Sequence, residues 1–235
     1  MSVRTELDQS GFAIVDPGLE ARAVDMLLHT LEPIERTLQE ARRGGARDIL
    51  RRVPAVRKIL SHPLLSSIVR SVLGPGAFAV KGILFDNHPG ANWKVPWHQD
   101  LTVAVQARAE AAGYGPWSVK AGVTHVQPPM HVLERMLSVR LHLDECRESN
   151  GALRVLPGSH RHGQIAGKSI MAARQRYQEV VCSVARGGIL AMRPLVLHAS
   201  SAAGTATRRR VLHLEFAACE LTSQVKWFDR WQYAA

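Results

Sequence analysis

The chain is poor in cysteine and aromatics and has no long hydrophobic run. Its 235 residues include three cysteines, Cys146, Cys182 and Cys219, widely spaced and without a CxxC pair. That excludes a disulfide framework and a zinc-finger set, and a reducing cytoplasm is the expected location. No apolar stretch approaches the ~20 residues of a membrane span. Met1 to Glu6 shows no basic segment leading into an apolar one, so no secretion signal is expected. No repeat recurs at a fixed period, which excludes solenoids and propellers. Aromatics are only 6% of the residues. With no nucleic-acid-binding motif in view, a basic nucleic-acid binder is the weakest reading.

Acidic residues are in deficit. Twenty Asp and Glu face thirty Lys and Arg, for a formal net charge of +10, with eleven His besides. Such a surplus attracts carboxylates, phosphates and CoA-like groups. A small-molecule partner carrying negative charge is expected, and no membrane. At 46% hydrophobic, the chain can bury one sizeable core, and residues 1–235 are read as a single domain.

Gly11–Val15 reads as a short strand closed by Asp16-Pro17-Gly18. Helical spacing runs from Leu19 to Arg43 through Val24, Leu27, Leu28, Leu31, Ile34 and Leu38, with Pro33 expected to kink or split it. A second helix fits Pro63 to Leu73. After residue 76 the pattern becomes short β-prone runs at 77–86, 95–104, 136–144, 152–156, 180–184, 188–193 and 210–217. Helices followed by many strands predict a mainly β fold, a sandwich or barrel with the helices on one face. The weakly periodic stretch 105–135 is expected to be an irregular insertion serving as an active-site lid.

Trp97-His98-Gln99-Asp100 contains a His-x-Asp. In a strand, residues two apart share a face, so an imidazole and a carboxylate can meet one ion. A second His would complete the facial set of non-haem Fe(II) oxygenases. His198, closing the apolar run Pro194 to Leu197, is the candidate. Alone, each is equally compatible with a packed or surface histidine. In Arg208 to Phe216, alternation puts Leu212, Leu214 and Phe216 on one face, with Arg210 at its start. Arg209, Val211, His213 and Glu215 take the other. If the apolar face meets the helices, Arg209 points inward and needs an anionic partner. In 136–144, Leu137, Val139, Leu141 and Leu143 oppose Ser138, Arg140, His142 and Asp144.

Taken together and in order, Trp97-His98-Gln99-Asp100, Asp144 to Leu153 with Asn150-Gly151, Pro157-Gly158-Ser159-His160, Leu197-His198-Ala199-Ser200 and Arg209 resemble the phytanoyl-CoA dioxygenase (PhyH-like) family. These are Fe(II)/2-oxoglutarate-dependent oxygenases. The resemblance implies a double-stranded β-helix, or jelly-roll, core over 77–217 behind a mostly helical 1–76. It implies His98, Asp100 and His198 as iron ligands. Arg209 would clamp the distal carboxylate of 2-oxoglutarate, and Ser200 would assist by hydrogen bonding. O2 is the other cosubstrate, and succinate and CO2 are released as a C–H bond is hydroxylated. Two positions depart from the family pattern. Arg140 stands where Trp is frequent and could meet 2-oxoglutarate or an acidic substrate, and Gly188 stands where Asp is usual. Trp97, Trp117, His125, Gln127 and His160 are candidate substrate contacts, and Lys81 and Lys94 could pair with an anion. The rival reading is a metal-binding barrel without catalysis, acting as a sensor or scaffold.

Overall fold

A computed structural model describes residues 1–42, 44–88, 90–204 and 208–233. The N-terminal part contributes helices α1 (Val3–Ser10), α2 (Ala21–Glu40), α3 (Ile49–Arg52) and α4 (Pro63–Leu73), with strands β1 (Phe12–Val15) and β2 (Gly45–Ala46) between them. Then follow β3 (Phe78–Asn87), β4 (Val95–His98), β5 (Val103–Val105), β6 (Trp117–Lys120), β7 (Val123–Val126), α5 (Met130–Glu134), β8 (Met136–His142) and β9 (Leu153–Val155). The remaining elements are α6 (Ile170–Arg176), β10 (Val180–Cys182), β11 (Ile189–Met192), β12 (His198–Ser200) and β13 (Arg209–Ala217). No helix among the described residues is long and apolar enough to cross a membrane.

The strands form a major sheet in the order β1-β11-β8-β13-β3-β2 and a minor sheet in the order β10-β9-β12-β4. A third, small sheet runs β5-β7-β6. The large sheets are antiparallel and packed face to face, as a jelly-roll requires. Alternation decides which face each residue takes. Leu137, Val139, Leu141, Leu212, Leu214 and Phe216 pack with Val24, Leu27, Leu31 and Leu38 of α2 in one buried cluster. On the other face, three neighbouring strands present Lys81–Glu215–Ser138, Ile83–His213–Arg140 and Phe85–Val211–His142 as successive cross-strand rows. Leu153, Val155, Leu190 and Met192 close the space between the two sheets on one side.

Several expectations are corrected. The helix expected over 19–43 is continuous over Ala21–Glu40, and Pro33 lies inside it without splitting it. Pro33 is solvent-exposed, so water can satisfy the carbonyl left without a donor. Arg43, its expected last residue, lies outside the described residues. The strand expected over 95–104 is two, β4 and β5, interrupted where Gln99 leaves the ladder. The stretch 105–135 is irregular only in part: 106–116 carries no helix or strand, but β6 and β7 form a hairpin across Ala121-Gly122 and, with β5, the third sheet. Asp144 does not share the inner face with Arg140. The strand ends at His142, alternation lapses, and the carboxylate turns to Arg210.

The start of β13 is held by a ladder of buried charge. Arg208 makes paired hydrogen bonds to Asp86 at 2.8 and 2.7 Å and reaches Glu35 of α2 at 2.9 Å. Arg210 grips Asp144 at 2.7 Å through both Nε and Nη2 and approaches Glu35 at 3.2 Å. Asp86 is fully buried and Glu35 nearly so. Removing one member of such a set strands its partners. Arg210→Leu is expected to cost about 3–5 kcal/mol in urea unfolding. Arg186→Leu, which breaks an exposed pair with Asp25, should cost below ~1 kcal/mol.

Candidate metal centre and its cavity

β4 and β12 are neighbours in the minor sheet, and their register sets His98 opposite His198. The ring centroids are 4.2 Å apart. Each Nδ1 donates to the carbonyl two residues back: His98 to Pro96 at 2.8 Å and His198 to Val196 at 3.0 Å. A carbonyl only accepts, so both protons sit on Nδ1 and both Nε2 atoms keep a lone pair. Both lone pairs face Asp100, with His98 Nε2 3.7 Å from Oδ1 and His198 Nε2 3.7 Å from Oδ2. The three donor atoms lie within 4.8 Å of one another and could hold a metal ion. Burial pushes the Asp100 carboxyl up, but His198, His213 and His98 outweigh it and hold it at about 2. Burial drives His198 down to about 4. At neutral pH the carboxylate is ionised and the His198 imidazole is neutral, which is the state a metal takes up.

Two clamps position these ligands. The Gln99 amide donates to the carbonyls of Gly163 at 2.8 Å and Leu195 at 2.6 Å, and its oxygen accepts from the Ile165 amide at 2.7 Å. This ties the residue between His98 and Asp100 to two loops. The Ser159 hydroxyl accepts from the Leu197 amide at 2.8 Å, immediately before His198.

The triad opens into a cavity of about 380 Å3. His98, Asp100, His198, Ser200, Arg140 and Arg209 all line it. Arg209 is 6% exposed. Among the described residues, no carboxylate pairs with Arg209 or Arg140. Arg209 has only the Cys146 sulfur at 3.8 Å, and its Nε has no partner. Arg140 meets His213 Nδ1 at 3.4 Å and the Phe85 ring at 5.3 Å, and its Nε is likewise unpartnered. Burial and the nearby Arg209 charge bring the Arg140 pKa down to about 10. By contrast, Lys81 is already matched: its ammonium lies 2.6 Å from Glu215, which also meets His213 at 3.2 Å.

The five candidate substrate contacts do not line this cavity. Trp97 faces the other way from His98 and lies against the Arg154 and Arg174 guanidiniums. Trp117 packs in the cluster of Val103, Val105 and Val126. His125 is buried with Nδ1 on the Val123 carbonyl at 3.0 Å. Gln127 donates to Gln164 at 2.9 Å. His160 packs so closely on Gly11 that a Cβ there would lie 2.5 Å from its ring. Lys94 is exposed. The sequence reading missed Arg47, Trp93, Thr102 and Lys120, which do line the cavity. Gly44-Gly45 was a signal for the first two. Without a Cβ, Gly44 admits the Trp93 ring into space that a side chain would fill.

The antiparallel sandwich with a His–Asp–His group between its sheets defines a cupin-like barrel. The solved structures that share this fold include one holding 2-oxoglutarate and one described as a non-haem α-ketoglutarate-dependent enzyme. EctD from S. alaskensis, solved with 2-oxoglutarate and 5-hydroxyectoine, superposes with a TM-score of 0.73 at 19% identity, covering 94% of this chain and 78% of that one. The carbocyclase SnoK from nogalamycin biosynthesis gives 0.72 at 14% identity, over 94% of this chain and 85% of that one. AviO1 from Streptomyces viridochromogenes Tue57 gives 0.69 at 16% identity, over 94% and 96%. No curated protein matches the chain in sequence. Residues 7–211 match the phytanoyl-CoA dioxygenase (PhyH) family, and the chain belongs to it.

The Gln99 clamp gives a direct test. Gln99→Leu leaves one amide and two carbonyls without partners. Urea unfolding should show a loss of about 1–3 kcal/mol. Co(II) titration should show about 10- to 100-fold weaker binding, as for other supports of metal ligands.

Proposed function

We propose that the protein is a non-haem Fe(II)- and 2-oxoglutarate-dependent dioxygenase. Its expected reaction is hydroxylation of a C–H bond in a small anionic molecule. The observation that carries this reading is one cavity holding both a two-His, one-carboxylate group and two guanidiniums, one buried and one half-buried, without an acidic partner among the described residues. A buried unpaired charge is costly. Two of them beside a metal-ligand set fit a small dicarboxylate that chelates the metal at one end. Iron with 2-oxoglutarate supplies oxidising power: O2 is consumed, 2-oxoglutarate is released as succinate and CO2, and one oxygen atom goes to the substrate.

The chain's residues divide the work. His98, Asp100 and His198 hold iron on one face and leave the cavity side open. Arg209 presents a planar fork to the far carboxylate of 2-oxoglutarate. Arg140, from the adjacent strand, adds a second positive charge, and Ser200 offers a hydroxyl near His198. Asp100 is a carboxylate where a related halogenase would carry a small residue, which favours hydroxylation. The family name does not make phytanoyl-CoA the substrate.

Anaerobic titration with Fe(II) and 2-oxoglutarate tests this reading through the visible charge-transfer band of the chelate. Wild type should develop the band, and His98→Ala, Asp100→Ala and His198→Ala should not. Arg209→Ala should weaken 2-oxoglutarate by on the order of 2–5 kcal/mol, the cost of truncating one partner of a buried charge pair. Absence of the band in wild type would leave a metal-binding barrel without oxygenase chemistry. Undiminished affinity in Arg209→Ala would remove the clamp assignment.

A further inference from the structure

The cavity holds more positive charge than the proposed reaction uses. Five cationic side chains line it, Arg47, Lys81, Lys120, Arg140 and Arg209, against two carboxylates, Asp100 and Glu215. Glu215 is taken by Lys81. Arg140 and Arg209 are assigned above to 2-oxoglutarate. A divalent metal and a dianionic cosubstrate cancel each other's charge, so loading the site leaves the cationic surplus in place. Within that surplus, Arg47 and Lys120 are the two cations to which no anion is assigned above.

These two sit together at the edge of the cavity. Arg47 follows β2 and also borders two neighbouring surface clefts, which places it at the rim. Among the described residues it makes no hydrogen bond or ion pair. Lys120 ends β6, at the tip of the hairpin, and reaches across to β5's leading loop. Its one hydrogen bond goes to the neutral Thr102 hydroxyl at 2.9 Å. Burial, Lys81 and Arg47 destabilise its charged form by more than Asp100 and Glu215 restore it. Two half-buried cations that repel each other and, among the described residues, make no salt bridge are held at a cost that an anion would relieve. Ile83, Phe85 and Trp93 line this cavity and, with Arg47, the adjoining cleft. Such a wall fits a hydrocarbon body rather than a second polar group.

Resting on the oxygenase reading, we propose that Arg47 and Lys120 form an anion subsite that anchors the substrate by a carboxylate or phosphate, with its carbon body laid along Ile83, Phe85 and Trp93 toward the metal. The anchor sets which end of the substrate stays at the rim, and so which carbon is presented for oxidation. It also assigns a purpose to the hairpin of residues 117–126, which carries Lys120 over the cavity.

The test uses full-length protein loaded anaerobically with Zn(II) and 2-oxoglutarate, so that Arg140 and Arg209 are occupied. Hexanoate, hexyl phosphate and 1-hexanol are titrated by calorimetry and ligand-observed NMR. At least one of the two acids should bind about tenfold or more tighter than the alcohol, and comparison of the two acids identifies the anchored group. Arg47→Met and Lys120→Met should each weaken that acid about tenfold and leave the alcohol unchanged. Lys120→Arg should restore binding, which a folding defect would not allow. Equal binding of acids and alcohol, or full acid affinity in both methionine variants, would overturn the subsite. The Fe(II)–2-oxoglutarate band is recorded on the same variants and should be unchanged. If wild type shows no band, the oxygenase reading fails by itself, and the titrations on unloaded protein, made in an Arg140→Met/Arg209→Met background so that only the rim cations can take the acid, still decide the subsite.

Discussion

The structure depends on the buried ladder Asp86–Arg208–Glu35–Arg210–Asp144. Its charges alternate, so each guanidinium meets two carboxylates and each buried carboxylate is matched. Pairing of this quality is what makes buried charge tolerable. Arg208 and Arg210 flank Arg209 in sequence. Holding both on the helix side of the sheet leaves Arg209 one direction, inward. The ladder also spans α2, β3, β13 and the turn after β8, so the helical layer and the major sheet are joined beside Arg209, the proposed cosubstrate clamp. The contrast within one stretch of three arginines is the point. Two are fully satisfied by the protein and one is left for a ligand.

The two sheets contribute different chemistry to one cavity. The candidate metal donors come from β4, β12 and the residues just after β4, all on the minor-sheet side. Arg140 and Arg209 come from β8 and β13 in the major sheet. Neither sheet alone assembles the site, so the site exists only when the sandwich is closed by the apolar contacts of Leu153, Val155, Leu190 and Met192. Both imidazoles are fixed by their own backbone carbonyls rather than by remote side chains. Their orientation therefore follows from strand geometry, and the donor set is organised before metal arrives.

Much of this was legible in the sequence where alternation is regular. Over Arg209–Phe216 every residue keeps its face, and the placement of Arg209 inward and of Leu212, Leu214 and Phe216 against the helices follows from period two alone. Strand alternation also paired His98 with Asp100, although Asp100 lies beyond the end of β4, and the motif's family resemblance added His198. Legibility failed where strands are short. β5, β6 and β7 have three or four residues each, too few for a pattern, so a small sheet read as an irregular loop. Lys120 was missed for that reason. Asp144 was misplaced because one residue past a strand end the rule no longer applies. Trp97 was drawn to the site by its neighbour His98, although in a strand the immediate neighbour of an inward residue faces out; His160 lies in a short 3-10 turn with its ring against Gly11.

The same distinction separates what the fold can share from what it must vary. EctD and the carbocyclase SnoK differ in the chemistry their names describe, yet both superpose on this chain across most of its length. A common fold therefore does not select the outcome. Here the metal donors and the inner arginines are held by long-range strand pairing and the charge ladder, which small changes would break. The rim is built differently. Arg47 lies in a connection and Lys120 at the tip of a two-stranded hairpin, where a substitution disturbs little besides the side chain itself. Charge at the rim can change without cost to the donor set beneath it. A cation on a hairpin tip, lining a cavity with no salt bridge among the described residues, is thus the feature of this chain that selection on substrate would act on most directly.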